Sequence, residues 1–197
     1  MKINKIVKEI QIREDIPNLI RCMNNPVICE IGVQMGLNFK NMITENTIKA
    51  VAIDSWTNTG TIGQNDSNYS SIELDNQYNT VVDMFKDDNR VSIIRNYSLE
   101  SSKLFDNETF DFIYIDADHT YDAVLSDLEH WYPKLKIGGV ISGHDYIDGD
   151  YTVSIGHLVR FGVMDAVSEF LKKYRIDEDN FHISTEQYAS FFITKIN

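Results

Sequence analysis

Five short apolar runs, most of them closed by a glycine or an aspartate, alternate with stretches of helical spacing, and this alternation limits the fold more than any other feature. The runs are Val27 to Ile31, Ala50 to Asp54, Val91 to Arg95, Phe110 to Ile115 and Val140 to Ser142. Their shortness and β-branched content predict buried strands. Between them, Asn38 to Thr47, Gln77 to Lys86 and Tyr121 to Tyr132 place apolar residues three and four apart, as helices do, and Leu99 to Phe105 reads as a further short helix. Strands that alternate with helices give a parallel sheet covered on both faces. The predicted class is therefore α/β, a Rossmann-like sheet flanked by helices.

The flanks complete this reading. Ile3, Ile6, Val7 and Ile10 predict an opening amphipathic helix, and Pro17 suits the first turn of a second one, so residues 1–25 form an N-terminal helical segment. Val163 to Tyr174 is a further helix. Phe181 to Ser184 and Ala189 to Ile193 predict a C-terminal antiparallel pair. Ser55 to Asp75, rich in Ser, Thr, Asn and Gly, reads as a long loop and a candidate lid. With 197 residues and 43% apolar content, one domain spanning 1–197 is expected.

Charge and targeting exclude several function classes. A net charge of −12 disfavours nonspecific binding to nucleic acid or to an anionic membrane. Two cysteines make no disulfide framework, and Cys29 falls inside an apolar run as a buried thiol. The N-terminus carries scattered charges instead of a signal-peptide core, so a cytoplasmic protein is expected.

In parallel sheets ligands bind beyond the carboxyl ends of the strands, where the strand order reverses. The first such end reads Glu30-Ile31-Gly32-Val33-Gln34-Met35-Gly36. Its glycines permit a tight turn, and they serve equally in a purely structural strand-to-helix turn. Gln34 stands where a dinucleotide fingerprint has its middle glycine. Asp54, ending the second strand, is placed to accept both hydroxyls of a ribose. The fourth strand ends in Asp116-Ala117-Asp118-His119 and the fifth in Gly143-His144-Asp145-Tyr146. Converging on one crevice, these acids and imidazoles could hold a hard divalent cation and leave one group as a base. Asp118 and His119 could instead cap the following helix. His130, His157 and His182 have no motif partners.

The segments Ile115 to Tyr121, Trp131 to Gly139 and Gly143 to Tyr146 resemble the I-D-[AG]-D-H-x-Y, [WY]-x-P-x-L-K-x-G-G and G-H-D-Y segments of the methyltransferase-24 family of class I methyltransferases. The resemblance extends through Glu30 to Gly36, Asp54-Ser55-Trp56 and Ser98 to Ser101, and covers roughly Val27 to Leu171. It implies a seven-stranded sheet with six strands parallel and one antiparallel, and S-adenosylmethionine bound across the switch point. Glu30, Gly32 and Gly36 would then face the methionine part, Asp54 the ribose, and Ser55, Trp56 and Ser98 the adenine. In related enzymes that methylate sugars and catechols, the strand-end positions of Asp116 and Asp145 hold a metal, Mg²⁺ or Mn²⁺. His144 occupies a third such position, as a ligand or as a base. His119 or His144 would take the acceptor's proton, with Asp118 orienting or substituting. The implied reaction is O-methylation of a hydroxyl on a small polar molecule such as a sugar. A non-catalytic S-adenosylmethionine-binding protein and a nicotinamide-dependent oxidoreductase are the alternatives. The oligomeric state, homo-oligomer included, stays open.

Overall fold

The computed structural model describes residues 3–57, 69–152 and 158–196. Two short helices, α1 (Ile3–Val7) and α2 (Ile16–Arg21), lead into β1 (Val27–Ile31). Helix α3 (Leu37–Met42) then connects to β2 (Lys49–Asp54), and α4 (Ser71–Phe85) to β3 (Val91–Arg95). Helix α5 (Ser98–Ser102) precedes β4 (Phe110–Ile115), and α6 (Tyr121–Trp131) precedes β5 (Leu135–Gly143). A hairpin, β6 (Asp148–Thr152) and β7 (Leu158–Gly162), is followed by α7 (Val163–Tyr174) and by β8 (Phe181–Ile183) and β9 (Phe191–Thr194).

The main sheet has the order β3-β2-β1-β4-β5-β9-β8. Strands β1 to β5 pair in parallel, whereas β9 runs antiparallel to both β5 and β8. Six strands thus share one direction and β9 opposes them, as expected. The order reverses between β1 and β4, which sets the carboxyl ends of β1, β2, β3, β4 and β5 along one rim.

Alternation along each strand divides the core between two faces. Cys29, Ile31, Val51, Ile53, Ile113 and Ile115 pack with Leu128 and Trp131 of α6 and Val167 and Phe170 of α7. Ile28, Ala50, Ala52, Phe112 and Tyr114 pack on the other face with Leu19 of α2, Phe39 of α3 and Val81 of α4. Cys29 is fully buried, which raises its thiol pKa, and it is not in a disulfide. Among the described residues no helix is long and apolar enough to cross a membrane.

The elements differ from the sequence reading in several places. Helix α4 begins at Ser71 rather than near Gln77, because Ser70 and Glu73 form a reciprocal capping box: the Glu73 amide donates to Ser70 Oγ at 3.3 Å and the Ser70 amide to Glu73 Oε2 at 2.8 Å. The expected loop therefore closes at Ser70, and its central part, residues 58–68, lies outside the described residues, as does His157. Helix α3 stops at Met42, ahead of a turn in which the Thr44 amide donates to Thr47 Oγ1. Strand β5 starts at Leu135, inside the stretch read as a turn, because Gly138 and Gly139 exchange backbone bonds with Lys195 of 2.7 and 2.9 Å. The β6–β7 hairpin has no counterpart in the sequence reading.

Candidate active site

A cavity of about 780 Å³ runs along the strand-end rim. Its lining includes Glu30, Gly32, Asp54, Ser55, Trp56, Ser98, Asp116, Asp118, His119 and Asp145. Most of the residues singled out in the sequence are therefore brought together. Gly36 and His144 are not on the lining: Gly36 turns the chain into α3 with a φ of +77° and packs beside Val81, and His144 sits behind Asp145 at the end of β5.

Gly32 shows why β1 must end in glycine. With a φ of +87°, a Cβ there would lie 2.0 Å from the Asp116 carbonyl oxygen. The ends of β1 and β4 touch through this missing side chain, and the Asp116 amide donates to the Ile31 carbonyl at 2.7 Å. Beside it, Glu30 is almost completely buried. Asn38 Nδ2 donates to its Oε1 at 2.6 Å, while Oε2 has no hydrogen-bond partner among the described residues. Burial pushes the Glu30 pKa well up; Asn38 and Arg13 pull it back, and Asp116 and Asp54 add repulsion. A buried carboxyl with an open acceptor, on a cavity wall, is suited to a cationic donor from a ligand.

Asp54 organises the neighbouring turns. Its Oδ2 accepts from the Gln34 amide at 2.9 Å and its Oδ1 from the Trp56 amide at 2.8 Å. Gln34, although not a glycine, adopts a φ of +49°. The Trp56 indole N–H donates to the Gln34 carbonyl at 2.9 Å, and its ring packs 5.1 Å from that of Tyr78. Trp56 is 1% exposed, so its indole buttresses the β1 turn at the edge of the cavity.

At the other side of the switch point, the ends of β4 and β5 converge. Asp116, His144 and Asp145 each offer one ligand atom, all within 4.8 Å of one another. Nε2 of His119 lies 3.4 Å from both Asp116 Oδ1 and Asp145 Oδ2, and its ring stacks on Phe161 of β7 at 5.3 Å. His144 Nδ1 sits 3.1 Å from Asp145 Oδ1. Burial raises the Asp145 pKa, but the His144 hydrogen bond and the charges of His119, His144 and Arg13 outweigh it and hold the carboxyl below its ordinary range. Asp118 accepts from the Thr120 amide at 2.8 Å, so it shapes the turn before α6, whose N-cap is Thr120.

Arg13 and Asp127 are lining residues that escaped the sequence reading. Arg13, from the turn Arg13–Asp15 before α2, places Nη1 3.4 Å from Asp116 Oδ2. Its amide donates to Glu186 Oε2 at 3.0 Å, which ties the N-terminal segment to the loop before β9. No local pattern marks Arg13, because its role depends on a contact across about a hundred residues. Asp127 on α6 is buried and accepts a hydrogen bond from Ser98 Oγ. Its position on the apolar face shared by Val124, Leu128 and Trp131 was the available signal.

The sequence profile of the methyltransferase-24 family, described as a methyltransferase domain, matches residues 29–146, from inside β1 to the turn after β5. The chain belongs to this family. It is thereby a class I methyltransferase domain of the kind that uses S-adenosylmethionine. Solved structures share the fold. A putative rRNA-methylase from Clostridium thermocellum superposes with a TM-score of 0.59 at 14% identity, over 98% of this chain and 93% of that one. A putative caffeoyl-CoA O-methyltransferase from Staphylococcus aureus gives 0.56 at 18% identity, over 95% and 87%. The 1,6-didemethyltoxoflavin-N1-methyltransferase of Burkholderia thailandensis, solved with 1,6-didemethyltoxoflavin and S-adenosylhomocysteine, gives 0.57 at 14% identity, over 94% and 78%. At such identities the likeness concerns the fold alone. No curated protein sequence matches the chain.

Proposed function

We propose that this methyltransferase acts on a hydroxyl of a small polar acceptor of the sugar class, assisted by a divalent cation. The observation that carries the reading is the convergence of Asp116, His144 and Asp145 within 4.8 Å, with His119 touching both carboxylates. Two carboxylates and an imidazole form a donor set suited to Mn²⁺ and, less well, to Mg²⁺. A divalent cation held by these residues would lower the pKa of an acceptor hydroxyl. S-adenosylmethionine supplies a methyl group already activated on a sulfonium sulfur.

The chain's own residues then have three tasks. Glu30 receives the ammonium of the methionine part and Asp54 the ribose hydroxyls, while Ser55 and Ser98 border the base. These contacts hold the sulfonium methyl in line with the acceptor oxygen, and positioning supplies much of the rate in such a displacement. His119 removes the hydroxyl proton through Nε2, and the flanking Asp116 and Asp145 stabilise the imidazolium that results. Phe161 fixes the ring by stacking. The cavity wall, with six carboxylates against a single guanidinium, suits a cationic cofactor and a neutral acceptor and disfavours a polyanion.

Arg13 supports a second reading. Its guanidinium already neutralises the outer oxygen of Asp116, so His119 could act as base without a metal.

The test is methyl transfer from labelled S-adenosylmethionine to a panel of sugars and catechols, before and after chelation. Transfer lost on chelation and restored by Mn²⁺ or Mg²⁺ supports the first reading. Full transfer by enzyme shown metal-free by elemental analysis supports the second. Binding of S-adenosylhomocysteine with no turnover on any acceptor would favour a non-catalytic binder, and binding of NAD in its place an oxidoreductase.

A further inference from the structure

The family profile covers residues 29–146, and two elements outside it close on each other beside the cavity: the turn Arg13–Asp15 and the turn between β8 and β9. Glu186 binds them together. Its Oε1 accepts from Ser184 Oγ at 2.9 Å and Ser190 Oγ at 3.2 Å, and its Oε2 from the Arg13 amide at 3.0 Å. The Thr185 amide adds a bond of 2.8 Å to the Gln11 carbonyl. The backbone at Arg13 is thus clamped, although Glu186 itself is not on the cavity lining.

The clamp decides where a guanidinium lands. Nη1 of Arg13 stands 3.4 Å from Asp116 Oδ2, and the side chain also interacts with the hydroxyl of Tyr114, which lies 3.1 Å from Ser190 Oγ. Its charge acts on Glu30 and Asp145 as well. Among the described lining residues Arg13 is the one Lys or Arg side chain, so it is the resident counter-ion of these acids. A divalent cation on Asp116 would draw on the same carboxylate charge, and the two cations would repel each other.

We propose that Arg13 competes with the cation for Asp116, and that Glu186 is a positioning residue that sets the strength of this competition from outside the cavity. The inference rests on the reading of Asp116, His144 and Asp145 as a cation site. Linkage makes the effect reciprocal: loosening the clamp strengthens cation binding, and cation binding loosens the clamp by the same factor. The scale is that of a partly exposed ion pair, about two- to fivefold. The sign is informative. Deleting the Glu186 carboxylate would weaken cation binding if charge alone acted, whereas loss of the clamp strengthens it.

The experiment titrates the full-length protein with Mn²⁺ alone in a calorimeter, and follows hydrogen exchange of the Gln11 to Asp15 segment by mass spectrometry with and without the ion. Glu186→Ala should bind Mn²⁺ about two- to fivefold more tightly than wild type. Adding Glu186→Ala to Arg13→Ala should change the affinity no further, since both act through one guanidinium. In wild type, saturating Mn²⁺ should speed exchange of the segment. In Arg13→Ala, which keeps the amide bonded to Glu186 but lacks the guanidinium, it should not. Weaker or unchanged Mn²⁺ binding in Glu186→Ala overturns the proposal, and so does an exchange response that survives in Arg13→Ala. Should Glu186→Ala fail to fold, Glu186→Gln, which removes the charge and weakens the clamp, takes its place with the same expected sign. A wild type that binds no Mn²⁺ refutes the cation reading itself, and the proposal with it; a wild type that binds Mn²⁺ without these responses refutes the proposal alone.

Discussion

Substituting Gly32 by alanine separates two costs that the structure assigns to one position. The first is conformational: a φ of +87° places an L-residue in a disfavoured region, at about 1–2 kcal/mol. The second is steric. The new Cβ would stand 2.0 Å from the Asp116 carbonyl oxygen, 2.4 Å from its carbon and 2.7 Å from the Ala117 nitrogen, all backbone atoms of the β4 end. They cannot yield without loosening the 2.7 Å bond from the Asp116 amide to Ile31 and the 2.8 Å bond from the Gly32 amide to Ile53. Overpacking of this kind costs about 1–3 kcal/mol, so the sum is about 2–5 kcal/mol. That is a large part of the 5–15 kcal/mol, roughly, of a domain's whole stability. Gly138 provides the control, since its φ is +82° but a Cβ there meets nothing within 4 Å. Urea denaturation of both variants should show Gly138→Ala losing about 1–2 kcal/mol and Gly32→Ala clearly more. Equal losses would refute the steric argument for the β1–β4 contact.

Two further outcomes follow from the charges in the cavity. Burial, partly offset by Ser98, raises the Asp127 pKa from 3.8 to about 6. The group's contribution to stability is thus complete below about pH 4 and is lost as the pH rises through about 6, a loss on the order of 3 kcal/mol. Ligand-free Asp127→Asn should accordingly be more stable than wild type at pH 8 and no more stable at pH 4 in paired denaturation curves; a gain that is the same at both pH values would contradict this. Arg13→Ala removes the guanidinium 3.4 Å from Asp116, and Mn²⁺ affinity should rise about two- to fivefold, in keeping with a partly exposed ion pair. Unchanged affinity by calorimetry would mean that Arg13 and the cation do not compete.

Much of the fold is legible in the sequence because the parallel strands are local signals. Val27–Ile31, Val91–Arg95 and Phe110–Ile115 are apolar or β-branched runs with abrupt ends, and each strand occupies the residues read for it. Reading failed where pairing is set by distant residues. The Lys136 to Gly139 stretch has the composition of a turn, yet it continues β5 through its bonds to Lys195. The Ser70–Glu73 capping box was present in the sequence and was passed over because polar residues surround it. The same division holds in the site. Asp54, Asp116 and Asp145 lie at strand ends and could be found by rule. Arg13 reaches Asp116 only through tertiary packing, whereas Trp56, found by its place after Asp54, lines the cavity with its indole bonded to the Gln34 carbonyl.

The central claim is that the strand-end rim binds S-adenosylmethionine through Asp54. It is tested most directly by calorimetric titration of wild type and Asp54→Ala with S-adenosylhomocysteine, and of wild type with NAD. The expected result is one-to-one binding of S-adenosylhomocysteine, weakened by about 1–3 kcal/mol in the folded variant through loss of charge-assisted hydrogen bonds, and no binding of NAD. Undiminished affinity in Asp54→Ala would contradict the assignment of the ribose to that residue, and NAD binding in place of S-adenosylhomocysteine would contradict the claim itself.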